Sequence, residues 1–159
     1  MTGPVGHRVW VLPAGRIPFP SNGSEPEFTS FDALCVLNAG GGPAELALTV
    51  YYEDAEPVGP YPVCVPARRV RHIRFNDLID PEALRLDRPF GVVVNSSTPV
   101  VVQFSRQDTR LPGSLAIATT LAFPADPGAP ITVAAGPGGV GPAGAGPVGA
   151  CDHDPQDGG

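Results

Sequence analysis

Residues 90–108 read "FGVVVNSSTPVVVQFSRQD", two β-branched apolar runs either side of a small polar cluster. β-branched side chains suit a pleated sheet better than a helix, and Asn, Ser and Pro mark turns. The pattern predicts two strands joined through Asn95–Pro99 in a hairpin-like unit. Outward from this stretch the same period of two recurs. In "AELALTVYY" (44–52) Leu46, Leu48, Val50 and Tyr52 point one way, and Ala47, Thr49 and Tyr51 the other. In "SLAIATTLAF" (114–123) Leu115, Ile117, Thr119, Leu121 and Phe123 share a face. "HRVWVLPAG" (7–15) and "DALCVLNAGGGPA" (32–44) supply the first two strands, each closed by a Gly-containing turn. "DLIDPEALRL" (77–86) admits a helical turn that Pro81 keeps short. Short strands broken by Pro and Gly predict an all-β fold, an antiparallel β-sandwich, with a barrel as the alternative closure.

The sequence of 159 residues divides by composition. Residues 5–123 form one β-sandwich domain, and residues 124–159 are Gly-, Pro-, Ala- and Asp-rich. Such a tail has too little large apolar surface to offset the entropy of ordering, so it is expected to be disordered. Its glycines do not recur strictly every third residue, which excludes collagen. The formal net charge is −6, from sixteen acids and ten arginines with no lysine. Four of the acids (Asp126, Asp152, Asp154, Asp157) lie in the tail, which leaves the body with twelve acids against ten arginines. A nearly neutral body has no global field to draw it onto nucleic acid or an anionic membrane. The start, "MTGPVGHRVWVLPAG", has no signal-peptide core, and no stretch is apolar for the ~18 residues a membrane span needs. A cytoplasmic protein with no direct membrane insertion is expected. Cys35, Cys64 and Cys151 share no metal-ligand spacing; Cys35 and Cys64 sit in apolar runs and read as buried, reduced thiols.

Positive charge is concentrated in "VPARRVRHIRFNDL" (65–78), where Arg68, Arg69, Arg71 and Arg74 flank His72. If 69–75 is extended, Ile73 and Phe75 face one side with Arg69 and Arg71, the apolar pair turning toward the core, and Val70, His72 and Arg74 face the other way. His72 and Arg74 then form a candidate ligand-facing pair: an imidazole and a forked guanidinium for carboxylate, phosphate or hydroxyls. A subunit interface, or an ion pair with Asp77, is the alternative. Arg68, Arg69 and Arg71 are candidates for interface or anion-binding charges. In "VVVQFSRQDTR" (100–110), Val102, Phe104 and Arg106 share the core-facing row and Gln103, Ser105 and Gln107 the other. Arg106 is expected to pair with a carboxylate, Asp108 being in reach. The candidate ligand site is therefore His72, Arg74, Asp77, Gln103, Arg106 and Asp108.

Aromatic side chains offer a stacking platform, with Trp10 and Tyr52 read as core and Tyr61, in "GPYP", as exposed. Acidic residues at Glu25, Glu27, Glu53, Asp54 and Glu56 have no partnered nucleophile. There is no Gly-x-Ser-x-Gly elbow, His-Glu-x-x-His or phosphate loop, and "CDHD" (151–154) lies on the tail. No catalytic residue, metal site or cofactor is expected.

The succession "SNGSEPEFTSFDALCVLNAG", "VYYEDAEPVGPY", "VPARRVRHIRFNDL", "PVVVQFSRQDTR" and "ATTLAF" strongly resembles the soluble sensory rhodopsin transducer family of prokaryotes. The similarity spans about residues 5–123, in order. It implies a compact β-sandwich assembling as a homotetramer, a cytoplasmic signalling module, and a membrane photoreceptor or other signalling protein as partner. It further implies a small-molecule, sugar-like ligand in some members, beside the anionic ligand that the His72–Arg74 pair suits. DNA contact by the arginines of 68–74, multiplied by symmetry, is the alternative function.

Overall fold

The stretch 90–108 is one continuous strand, β6 (Phe90–Asp108), and it belongs to two sheets. In the computed structural model, which describes residues 5–125, β6 is 19 residues long. Its first half lies between β1 (His7–Gly15) and β3 (Ala44–Tyr52). Its second half lies between β2 (Phe31–Asn38) and β7 (Ala116–Leu121). β4 (Val58–Val65) extends the first sheet beyond β3, and the short β8 (Phe123–Pro124) extends it beyond β1. β5 (Arg69–Arg74) borders β2. The two sheets run β4–β3–β6–β1–β8 and β5–β2–β6–β7, and every pair named is antiparallel. The predicted all-β antiparallel fold is the one found. The segment expected to be a disordered tail lies, after Ala125, outside the described residues.

The hairpin expected at Asn95–Pro99 does not form. Val92, Val93 and Val94 pair with β1 and β3, whereas Val101 to Gln107 pair with β2 and β7, so the two runs never meet each other. The polar cluster is instead an irregularity in the ladder: while β1 advances from His7 to Val9, its partner on β6 moves from Val100 to Asn95. Bulges use the same small polar residues as turns and bend a strand without reversing it. The Ser97 hydroxyl accepts the Glu45 N–H at 2.9 Å and the Ser96 hydroxyl donates to the Thr98 carbonyl at 2.6 Å, which satisfies local groups at the bend.

Even-numbered side chains of β6 face inward on both sides of the bend: Phe90, Val92, Val94, Val100, Val102 and Phe104 are buried. Leu46, Leu48 and Val50 meet them from β3, and Leu34, Val36 and Ile73 from β2 and β5, in one cluster. Burying each such side chain stabilises the fold by about 1.5–3 kcal/mol. Trp10 closes one end, its indole N–H donating to the Val100 carbonyl at 2.9 Å. Asn38, fully buried, donates to the carbonyls of Gly42, Val65 and Pro66, tying the β2–β3 turn to the end of β4.

Three local expectations are corrected. Tyr61 is buried, not exposed; its hydroxyl donates to the Glu82 carbonyl at 2.6 Å, and burial pushes its pKa up to about 12. Residues 78–86 form no helix; a 3-10 turn, η1 (Phe75–Asp77), ends at Asp77 and carries Phe75 into the core. Cys64 is disulfide-bonded, so the expectation of a reduced thiol holds for Cys35 and not for Cys64.

Candidate binding face

Directly opposed residues of an antiparallel pair point to the same side of the sheet, so the register fixes which side chains meet. On the second sheet, His72 opposes Cys35, Cys35 opposes Gln103, and Gln103 opposes Leu121. The next row is Arg74, Ala33, Ser105 and Thr119, and the row on the other side is Val70, Leu37 and Val101. Ile73, between His72 and Arg74, is buried at 6% exposure. The expected alternation is thus present: Ile73 faces the core, and His72 and Arg74 share the outer face with Gln103. This face also exposes Val70, Leu37, Ile117 and Leu121.

The two basic groups have different tasks on that face. His72 is exposed, and its Nδ1 lies 3.6 Å from the Cys35 thiol. Arg74 turns the other way: its guanidinium stacks over the Phe31 ring, 4.5 Å from the centroid, and donates to the Thr29 hydroxyl at 2.8 Å. Gln107 fastens the same loop from β6, donating to the carbonyls of Glu27 and Thr29, both at 2.8 Å. Residues 27–29 therefore cap one end of the outer face, while the His72 row stays open. Arg74 Nε is buried and has no hydrogen-bond partner among the described residues, a cost that an incoming acceptor would relieve.

The other expected site residues lie elsewhere. Arg106 points inward and grips Asp32, with Nε to Oδ1 at 2.7 Å and Nη2 to Oδ2 at 2.8 Å. Asp32 is fully buried and also accepts the Arg16 N–H at 2.6 Å. Burial pushes the Asp32 carboxyl upward against those three bonds, while the bonds to Asp32 hold Arg106 firmly protonated. The proposed Arg106–Asp108 pair is corrected accordingly: Asp108 pairs with Arg110, at 2.6 Å to Nη2, and those bonds lower its pKa. Asp108 and Arg110 line a cleft of about 350 Å³ with Leu111, Ser114 and Ala116. A neighbouring cleft of about 330 Å³ includes Asn22, Phe28 and Thr109. Both sit around the Asp108 end of β6, away from the His72 row. Asp77 is exposed in η1, with no ion pair among the described residues. Arg68 is exposed in the β4–β5 connection and Arg69 and Arg71 in β5; Arg69 donates to the Arg68 carbonyl and Arg71 to the Cys64 carbonyl.

Against this geometry stand the comparisons with known proteins. The family model described as "Anabaena sensory rhodopsin transducer" matches residues 5–124. The chain belongs to this transducer family. A solved structure titled "Anabaena sensory rhodopsin transducer" is 47% identical, with a TM-score of 0.59, covering 65% of this chain and 99% of its own. A second, the Thermotoga maritima 1070 protein, is 30% identical with a TM-score of 0.64, covering 76% of this chain and 97% of its own. No curated protein matches.

In this transducer-family chain, sequence reasoning misses two partners. Cys35 reads as a core thiol, yet it is half-buried on the outer face beside His72. Its place in the odd-numbered row of β2, with Ala33 and Leu37, was the available signal. Asp32 gives no local sign of being the Arg106 partner, because the two are brought together by strand pairing alone.

Proposed function

We propose that residues 5–123 form a non-enzymatic signalling and binding module of the cytoplasm, a transducer that receives a partner protein on the outer face of the β5–β2–β6–β7 sheet. The family match over residues 5–124 carries this reading. The 47% identical relative is named as the transducer of a sensory rhodopsin, so a membrane photoreceptor is the leading partner class. Among the described residues no helix is long and apolar enough to cross a membrane, which fits contact with a membrane partner by docking.

The polar part of the face, His72, Arg74 and Gln103, is the site for a small sugar-like or anionic ligand. Arg106, held by Asp32, supports that sheet from below and does not contact the ligand. A homotetramer supplies the second element of a signalling device: occupancy that favours one subunit packing over another shifts the population between them. Isothermal titration with a panel of sugars and anions tests the site. We expect His72→Ala to weaken the binding seen with wild type by about tenfold or more, the worth of one charge-assisted hydrogen bond. Identical heats for the two proteins would contradict it.

A second reading, DNA binding, is favoured by one observation: Arg68, Arg69 and Arg71 are exposed and, among the described residues, the guanidinium groups of Arg69 and Arg71 donate to carbonyls rather than to carboxylates. Duplex DNA in the same titration separates the readings. Phosphate binding weakens steeply as salt rises, one counterion for each phosphate neutralised; no binding at low salt would remove this option.

A further inference from the structure

We propose that Cys35 and His72 form a two-toothed seat for one thiophilic divalent cation of the zinc type, on the outer face of the second sheet. Residues 35 and 72 are too far apart in sequence for any ligand-spacing motif to reveal them. Strand pairing sets them directly opposite each other, with Sγ and Nδ1 3.6 Å apart. A tetrahedral zinc ion holds sulfur at about 2.3 Å and nitrogen at about 2.0–2.1 Å. At a tetrahedral angle those bond lengths place the two donor atoms about 3.6 Å from each other. The bite is therefore already set by the register of β2 and β5, without a rearrangement of either strand.

The chemistry of the surroundings agrees. Cys35 is a free thiol, half-buried, and His72 is exposed, so an ion reaches the pair from solvent. Thiolate and imidazole together select zinc-like and softer ions over magnesium or calcium, which take oxygen. The nearest cationic neighbour on the face, Arg74, has its guanidinium drawn off onto Phe31 and Thr29. The other residue flanking Cys35 in the row, Gln103, is uncharged. The thiol that now faces the imidazole gives up its proton to solvent when the metal–sulfur bond forms, and neutral His72 supplies a lone pair from Nδ1. Among the described residues, no third His, Cys, Asp or Glu joins the pair. The remaining positions fall to water, which makes the seat weaker than a closed four-ligand site and open to a further donor. The inference rests on these two side chains and not on the transducer reading.

Cobalt(II) is the probe, because a thiolate ligand gives it a sulfur-to-metal charge-transfer band. The full-length chain is titrated under nitrogen without reductant, so that the Cys64 disulfide stays closed, and zinc is then added in competition. The expected result is a charge-transfer band in wild type that zinc displaces. Cys35→Ser removes the band. His72→Ala weakens cobalt binding by about tenfold or more, at least the loss that follows when even an outer-shell partner is removed. His153→Ala, in the metal-capable run "CDHD", leaves band and affinity unchanged. The proposal is overturned by a wild type without the band, a band that survives Cys35→Ser, an affinity unmoved by His72→Ala, or a band lost in His153→Ala.

Discussion

Arg106→Ala is expected to lower stability by about 3 kcal/mol, the lower end of the range for breaking a buried ion pair because the Arg106 side chain keeps 30% exposure. For a domain of this size that is a fall in Tm on the order of 10 °C. The cause is the partner left behind. Asp32 is fully buried, and without the guanidinium it keeps the Arg16 N–H but loses both charge-assisted bonds. Burial already pushes this carboxyl up, and in the variant nothing from Arg106 pulls it down. The sign follows by linkage. A carboxyl whose folded pKa lies above its unfolded value carries its penalty at pH above the folded pKa, and loses it as pH falls toward the unfolded one. The deficit of Arg106→Ala relative to wild type should therefore be largest at neutral pH and narrow on acidification. Denaturant unfolding of both proteins across that range is the check. A deficit below about 1 kcal/mol, the level of an exposed pair, or one that widens in acid, would contradict it.

Phe75→Ala is expected to cost about 3–5 kcal/mol, the range for removing a large aromatic ring from a core. Phe75 is fully buried and meets Phe90 edge to face, centroids 5.2 Å apart at 68°. Its position gives the loss a functional side. η1 follows β5 directly, and the Phe75 ring anchors that end of the strand carrying His72 and Arg74. Hydrogen exchange should accordingly rise along β5 more than along β3. A cost under about 1 kcal/mol, or uniform exchange across both sheets, would sink the anchoring role.

The alternating strands were legible because their signal is local: Leu46, Leu48 and Val50 in β3, and Ile73 against His72 and Arg74 in β5, each sort by parity alone. What failed depended on distant partners. Asn95–Pro99 carries turn chemistry, and whether such residues reverse a strand or bend it depends on β1, β2, β3 and β7 lying alongside. β4 was obscured by Pro60 and Pro62; as an edge strand that, among the described residues, bonds to β3 alone, it tolerates residues without an N–H. Tyr61 between those prolines reads as exposed, yet its neighbour across the ladder is Leu48, at the centre of the core. For the site, parity placed His72, Arg74 and Gln103 on one face. It could not give Arg106 to Asp32 or Cys35 to His72, because both pairs depend on interstrand register.

The proposed function stands or falls on whether binding occurs on the outer face of the second sheet. Amide NMR shift mapping of the full-length chain, titrated with a panel member that gives heat or with the partner protein, tests this most directly. Shifts are expected to gather at Cys35, Leu37, Val70, His72, Gln103 and Leu121, with the outward residues Ala47 and Thr49 of β3 unmoved. Shifts centred on β3 and β4, or on the Asp108–Ala116 cleft, with the His72 row silent, would contradict it.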